Sequence, residues 1–87
     1  MAYYGMGEAL RGQHDFRAAA EAYDTVQEYQ AADPDLRQRA ELAAGEMYDA
    51  LHNREQAVRR YQAAIAVEGD PERVALARKR IKQPYRE

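Results

Sequence analysis

The chain says nearly the same thing twice. GEALRGQHDFRAAAEAY, from Gly7 to Tyr23, returns 38 residues later as GEMYDALHNREQAVRRY, from Gly45 to Tyr61. Gly7/Gly45, Glu8/Glu46, His14/His52, Ala19/Ala57 and Tyr23/Tyr61 are identical pairs. A fixed period of roughly 20–50 residues marks an architecture whose units cannot bury their apolar faces alone and do so against a neighbour. The repeated stretch is therefore expected to be a structural module rather than a duplicated active site. With 87 residues there is room for one small domain, stable only if its packing is regular or the chain associates.

Periodicity and start signals predict five helices. The first, about 2–11, places Tyr3, Met6, Gly7 and Leu10 at i, i+3, i+4 and i+7. The second, about 16–30, carries Ala19, Tyr23 and Val26 behind a capping Asp15. The third, about 34–51, opens on Asp33-Pro34, an N-cap acid followed by Pro where a missing N–H costs nothing. Its stripe is Ala40, Ala44, Met47 and Leu51, flanked by Leu36 and Ala43. The fourth, about 54–67, follows Asn53 with Gln56 three residues on, a capping-box pattern, and carries Ala57, Tyr61, Ala64 and Ile65. The fifth repeats the acid-proline device at Asp70-Pro71 and runs to about Lys82 with Val74, Ala77 and Ile81. Pro84 stops it, and 84–87 reads as a loose tail. No segment reads as a strand. Short links make sequential helices antiparallel neighbours. The expected units are a helix pair over 1–33, a second over 34–69, and a closing helix over 70–83.

Composition removes several chemistries. There is no Cys, hence no disulfide, thiolate nucleophile or Cys-based metal site. No Ser is present, so no Ser-His-Asp set exists. Gly5-Met6-Gly7 falls inside a helix and not between strand and helix, so it is no nucleotide fingerprint. No run approaches the roughly 18 apolar residues of a membrane span. No signal peptide is visible at the N-terminus, which favours the cytoplasm, with the cell envelope open if the chain is a fragment or mature form. Net charge is −2 but unevenly spread. Through Ala50 ten acids face four Arg, a balance of −6; from Leu51 five acids face nine Lys and Arg, a balance of +4.

At these residues the chain resembles the tetratricopeptide repeat family. Tyr3, Met6, Gly7 and Leu10 take the first-helix places of the first repeat; Ala19, Tyr23 and Val26 take the second-helix places, with Pro34 following. Ala44, Gly45 and Tyr48, then Ala57, Tyr61, Ala64 and Pro71, do so in the second. Glu41 stands where a bulky apolar residue is usual, Val26 exceeds the usual small residue, and Arg54 replaces the aromatic that Phe16 supplies in the first copy. The resemblance covers 2–71, and the fifth helix looks like the polar closing helix of such arrays. It implies an all-α fold of stacked antiparallel helix hairpins with a right-handed turn. It also gives Gly7 and Gly45 a packing role, letting the paired helix approach, matched by Ala19 and Ala57. The usual repeat is ~34 residues; the longer period here and the ending DPERVALARKRI look like the bacterial cell-envelope subgroup, such as the TolA-binding periplasmic proteins.

The resemblance implies a concave groove lined by Tyr4, Glu8 and Arg11 from the first pair and Arg39, Leu42, Glu46 and Asp49 from the second. Tyr4 and Leu42 would anchor a partner peptide or helix, since Tyr is enriched at binding hot spots. The set lacks the Lys/Asn cluster by which chaperone-binding relatives clamp a C-terminal carboxylate. Glu8 and Glu46 are expected as a solvated groove wall, not as an acid–base pair, which would need a cleft driving their pKa values apart. His14 and His52 are expected in turns, where His tolerates left-handed backbone, not as metal ligands. The basic run Arg73, Arg78, Lys79, Arg80, Lys82 and Arg86 suits a solvated helix end, favoured by the helix dipole, with little aromatic interleaving for nucleic acid. The outer face of the first helix, Tyr3, Met6 and Leu10, should lack a neighbour and offer a self-association edge, helped by the charge asymmetry. The expectation is a non-catalytic protein-interaction module with a protein or peptide partner and a homo-oligomeric tendency, no cofactor and no metal. A nucleic-acid-binding helical domain, or an accessory domain of a larger enzyme, is the alternative.

Overall fold

The computed structural model of the chain describes residues 2–29 and 33–87. These form five helices and no strand: α1 (Tyr3–Gly12), α2 (Phe16–Tyr29), α3 (Pro34–Ala50), α4 (Arg54–Ala66) and α5 (Pro71–Lys82). The fold is all-α, with bounds within one residue of those expected; the expected end of the second helix at Gln30 lies outside the described residues.

The starts are fixed by side-chain oxygens that satisfy free first-turn N–H groups. Asp33 Oδ1 accepts from the amides of Asp35 and Leu36 at 3.0 and 3.3 Å. Asp70 accepts from Glu72 at 2.9 Å, Asp15 from Ala18 at 3.3 Å and Asn53 from Gln56 at 3.3 Å. The expected capping box at Asn53 is only half made, because Gln56 Oε1 instead accepts from Arg60 Nη1 at 3.2 Å. α1 has no side-chain cap at Ala2.

Two turns are built identically. His14 and His52 have φ of 61° and 60°. Asp15 N–H reaches Leu10 O and His14 N–H reaches Arg11 O; Asn53 N–H reaches Tyr48 O and His52 N–H reaches Asp49 O. This is the Schellman closure of a helix end, with histidine at the left-handed position that glycine usually takes. The histidines therefore sit in turns, as expected.

Pairings define the topology. Tyr3 meets Tyr29, Tyr4 meets Tyr23 and His14 meets Phe16, so α1 and α2 run antiparallel. Asp49 meets Tyr61 while Gln38 reaches Ala64, so α3 and α4 do too. Across alternate helices the sense reverses. Arg11 pairs with Glu46, Asp35 with Arg73 and Glu46 with Arg80, which makes α1, α3 and α5 mutually parallel. α3 packs close to both α1 and α5, whereas the backbones of α2 and α4 stay farther apart and are bridged by the Arg60–Asp24 ion pair. The odd helices thus form the closer, inner layer.

Two core clusters lie between these layers. Ala19, Ala20, Tyr23, Ala43, Ala44 and Met47 form one; Leu42, Ala57, Tyr61, Ala64 and Ala77 form the other. Alanines let helices approach, and two tyrosines fill the space that remains. A Cβ at Gly7 would stand 2.6 Å from Tyr23 Cε1, and one at Gly45 2.5 Å from Tyr61 Cε1. The glycines are therefore matched by tyrosine rings, a correction to the expected match with Ala19 and Ala57. Of the first stripe only Gly7 is buried; Tyr3, Met6 and Leu10 are half-buried.

Gln38, wholly buried, ties the second pair to the closing helix. Its amide donates to Ala64 O at 3.4 Å and its Oε1 accepts from Asp70 N–H at 2.9 Å.

Candidate partner-binding groove

α3 is the middle helix of the inner layer, and its polar side is covered as well as its apolar side. Glu46 and Asp49 are only 7% and 8% exposed. Buried carboxylates need charged or hydrogen-bonding partners, and both have them. Arg11 Nη2 from α1 lies 2.9 Å from Glu46 Oε1, and Arg80 Nη2 from α5 lies 3.3 Å from Glu46 Oε2. Glu46 is thus a staple across all three inner helices, which corrects the expected solvated wall.

Asp49 collects a second set. Arg54 Nη1 donates to both of its oxygens at 3.1 and 3.0 Å, and the Tyr61 hydroxyl donates to Oδ2 at 2.7 Å. Arg54 also donates through Nη2 to the carbonyls of Arg80 and Ile81 at 2.7 and 2.5 Å. The residue that departs from the first copy's Phe16 is the one that fastens the end of α5. Burial, then the bond to Asp49, raises the Tyr61 phenol well above its ordinary pKa. Burial and a bond to Glu8 do the same for Tyr23. Both stay donors at neutral pH.

The segment after α5 is not a loose tail. Tyr85 N–H donates to Asp49 Oδ2 at 3.0 Å. Its hydroxyl accepts from Arg11 Nη2 at 2.8 Å and donates to Glu87 Oε1 at 2.7 Å. Its ring lies beneath two guanidinium groups, Arg11 at 5.3 Å and Arg80 at 4.8 Å from the centroid, favourable cation–π placements. Glu87 lies 3.6 Å from Arg11. Beside the segment opens a cleft of about 540 Å³ lined by Phe16, Asp49, Ala50 and His52 as well as by the segment itself.

Comparison with protein families, curated proteins and solved structures finds no match to this chain.

The remaining expected groove residues divide. Glu8 is exposed and accepts from the Tyr23 hydroxyl. Tyr4 is half-buried, its ring tilted 54° against Tyr23 at 5.6 Å, so it is a wall rather than a projecting anchor. Arg39 is exposed and pairs with Asp35 at 3.0 Å, one turn back on its own helix. Leu42 is not an anchor: it is buried in the second core cluster with Ala57, Tyr61, Ala64 and Ala77. At the expected self-association edge, Leu10 packs against the first cluster and Tyr3 stacks on Tyr29 at 5.6 Å. Met6 is half-buried, while Tyr29 is 70% exposed.

The basic run divides as well. Arg73 pairs with Asp35 at 2.5 Å and Arg80 with Glu46, while Arg78, Lys79, Lys82 and Arg86 are exposed. Arg80, Tyr85, Glu87 and Arg54 are the groove-side residues that sequence reasoning missed. Spacing carried one signal for them: Arg80 lies 34 residues beyond Glu46, and Glu46 lies 35 beyond Arg11.

On the other side of α3, Asp24 accepts from the Tyr48 hydroxyl at 2.7 Å and from Arg60 Nε and Nη2 at 2.9 and 3.1 Å. Glu41 lies close to this pair and burial pushes its carboxyl up to about 6. No described helix is long and apolar enough to cross a membrane.

Proposed function

We propose that the chain is a non-catalytic protein-interaction module of the tetratricopeptide type, taking an extended peptide of a partner protein along the inner face of α1, α3 and α5. One observation carries this reading: a non-helical segment, 84–87, already rests on that face, held by a main-chain bond to Asp49 and by side chains of α1 and α5. A surface that accepts non-helical chain through Asp49, Arg11 and Arg80 has the means to accept another. The 38-residue duplication of turns and tyrosine–glycine contacts supports the repeat assignment.

The module also self-associates through the outer side of α1, where Tyr3, Met6 and the exposed Tyr29 lie together at one end of the stack. The groove reading is tested with an array of random peptides probed by the wild-type chain and by Tyr85→Ala, with Arg11→Gln as control. Binding that weakens in Arg11→Gln is expected. Silence from both wild type and Tyr85→Ala would sink it.

A further inference from the structure

The chain's own segment 84–87 shows what the groove selects. An aromatic ring is set against two cations, Arg11 and Arg80. A main-chain N–H is taken by Asp49. A carboxylate two positions on meets Arg11 and the phenol together. The intervening Arg86 is exposed. These are three distinct demands: a π face, a main-chain N–H free to donate, and an acid at the second position after the ring.

The occupant has no helix of its own: Arg11, Arg80 and Asp49 hold it, and its ring packs against the first core cluster. Arg80 Nε is buried without a hydrogen-bond partner while Tyr85 lies against this guanidinium. A neighbouring cleft of about 540 Å³ remains open to further chain. Resting on the interaction-module reading above, we propose that the groove is a receptor for a partner segment carrying an aromatic residue and, two positions later, an acid, and that Tyr85 and Glu87 hold this receptor in cis until that segment replaces them.

A tethered occupant competes at an effective concentration near the millimolar range. A free segment therefore binds the wild-type chain weakly and an unoccupied groove well. The probe is a fluorescein-labelled peptide of sequence KQPYRE, followed by anisotropy. Tyr85→Ala is expected to bind it at least tenfold more tightly than wild type. Ala in place of the peptide's Tyr, or Gln in place of its Glu, should each cost at least tenfold, as should adding Arg11→Gln to Tyr85→Ala.

Circular dichroism establishes that Tyr85→Ala is folded. Should it not fold, the intact chain is titrated with millimolar unlabelled peptide and followed by ¹⁵N NMR. A shift of the Tyr85 amide supports replacement, and no shift overturns it. Equal affinity of wild type and Tyr85→Ala overturns the proposal. So does a concentration-dependent dimer abolished by Tyr85→Ala, which would make a second copy's segment the occupant. Array ligands without the aromatic-x-acid pattern would leave the module standing and remove this inference; no ligand at all removes both.

Discussion

Gly5 and Gly7 stand two residues apart on α1 in opposite circumstances. A Cβ at Gly5 meets nothing within 4 Å, whereas one at Gly7 meets the Tyr23 ring at 2.6 Å. Glycine in a helix interior costs about 0.5–1 kcal/mol relative to alanine, while overfilling a packed site costs about 1–3 kcal/mol. Chemical denaturation should find Gly5→Ala stabilised and Gly7→Ala destabilised by those amounts; equal effects would contradict the ring-over-glycine contact. Glu41 offers a pH signature. Its folded carboxyl is lifted from 4.5 to about 6 by burial, so the folded state holds the extra proton between those values. Stability therefore falls as pH rises through that window. Glu41→Gln should flatten the profile, raising stability at pH 8 by about 1 kcal/mol, discounted for partial screening by solvent, and changing little at pH 4. Thermal melts across that range decide it.

Among the elements, α5 depends on a residue outside itself. Arg54, at the start of α4, joins Asp49 of α3 to the last carbonyls of α5, where a cation also meets the negative end of the helix dipole. Arg54→Leu should loosen α5 and the segment after it as a unit. Hydrogen exchange is expected to quicken more than tenfold over 74–82 while α2 and α3 keep their protection. Exchange that quickens everywhere, or nowhere, would remove Arg54 from this role. The helices themselves were legible: Asp33-Pro34 and Asp70-Pro71 mark starts by chemistry that acts within a few residues. The coverage of α3 was not. Periodicity tells which residues share a face, so Leu42, Glu46 and Asp49 could be grouped; it does not tell which later element closes over that face. Tyr85 lies in a stretch too short for any period, and Arg54 registered only as a missing aromatic.

For the whole molecule, the halves differ in charge, −6 through Ala50 and +4 beyond it. With Tyr29 exposed beside Tyr3 at one end, an apolar end contact aided by opposite charges is expected. Light scattering over a concentration series should show a dimer or larger species, weakened by Met6→Glu and, if charge contributes, by salt. A monomer at every concentration would end that reading. The parallel course of α1, α3 and α5 has one more consequence. Their peptide dipoles add in the same sense along the groove floor, and Arg11, Arg54 and Arg80 gather where the three helices finish. The groove therefore has a heading. A strand of chain laid in it forwards meets an electrical gradient that the same residues in reverse order meet backwards, so a reversed peptide, acid before ring, should be refused even though every contact type is still on offer.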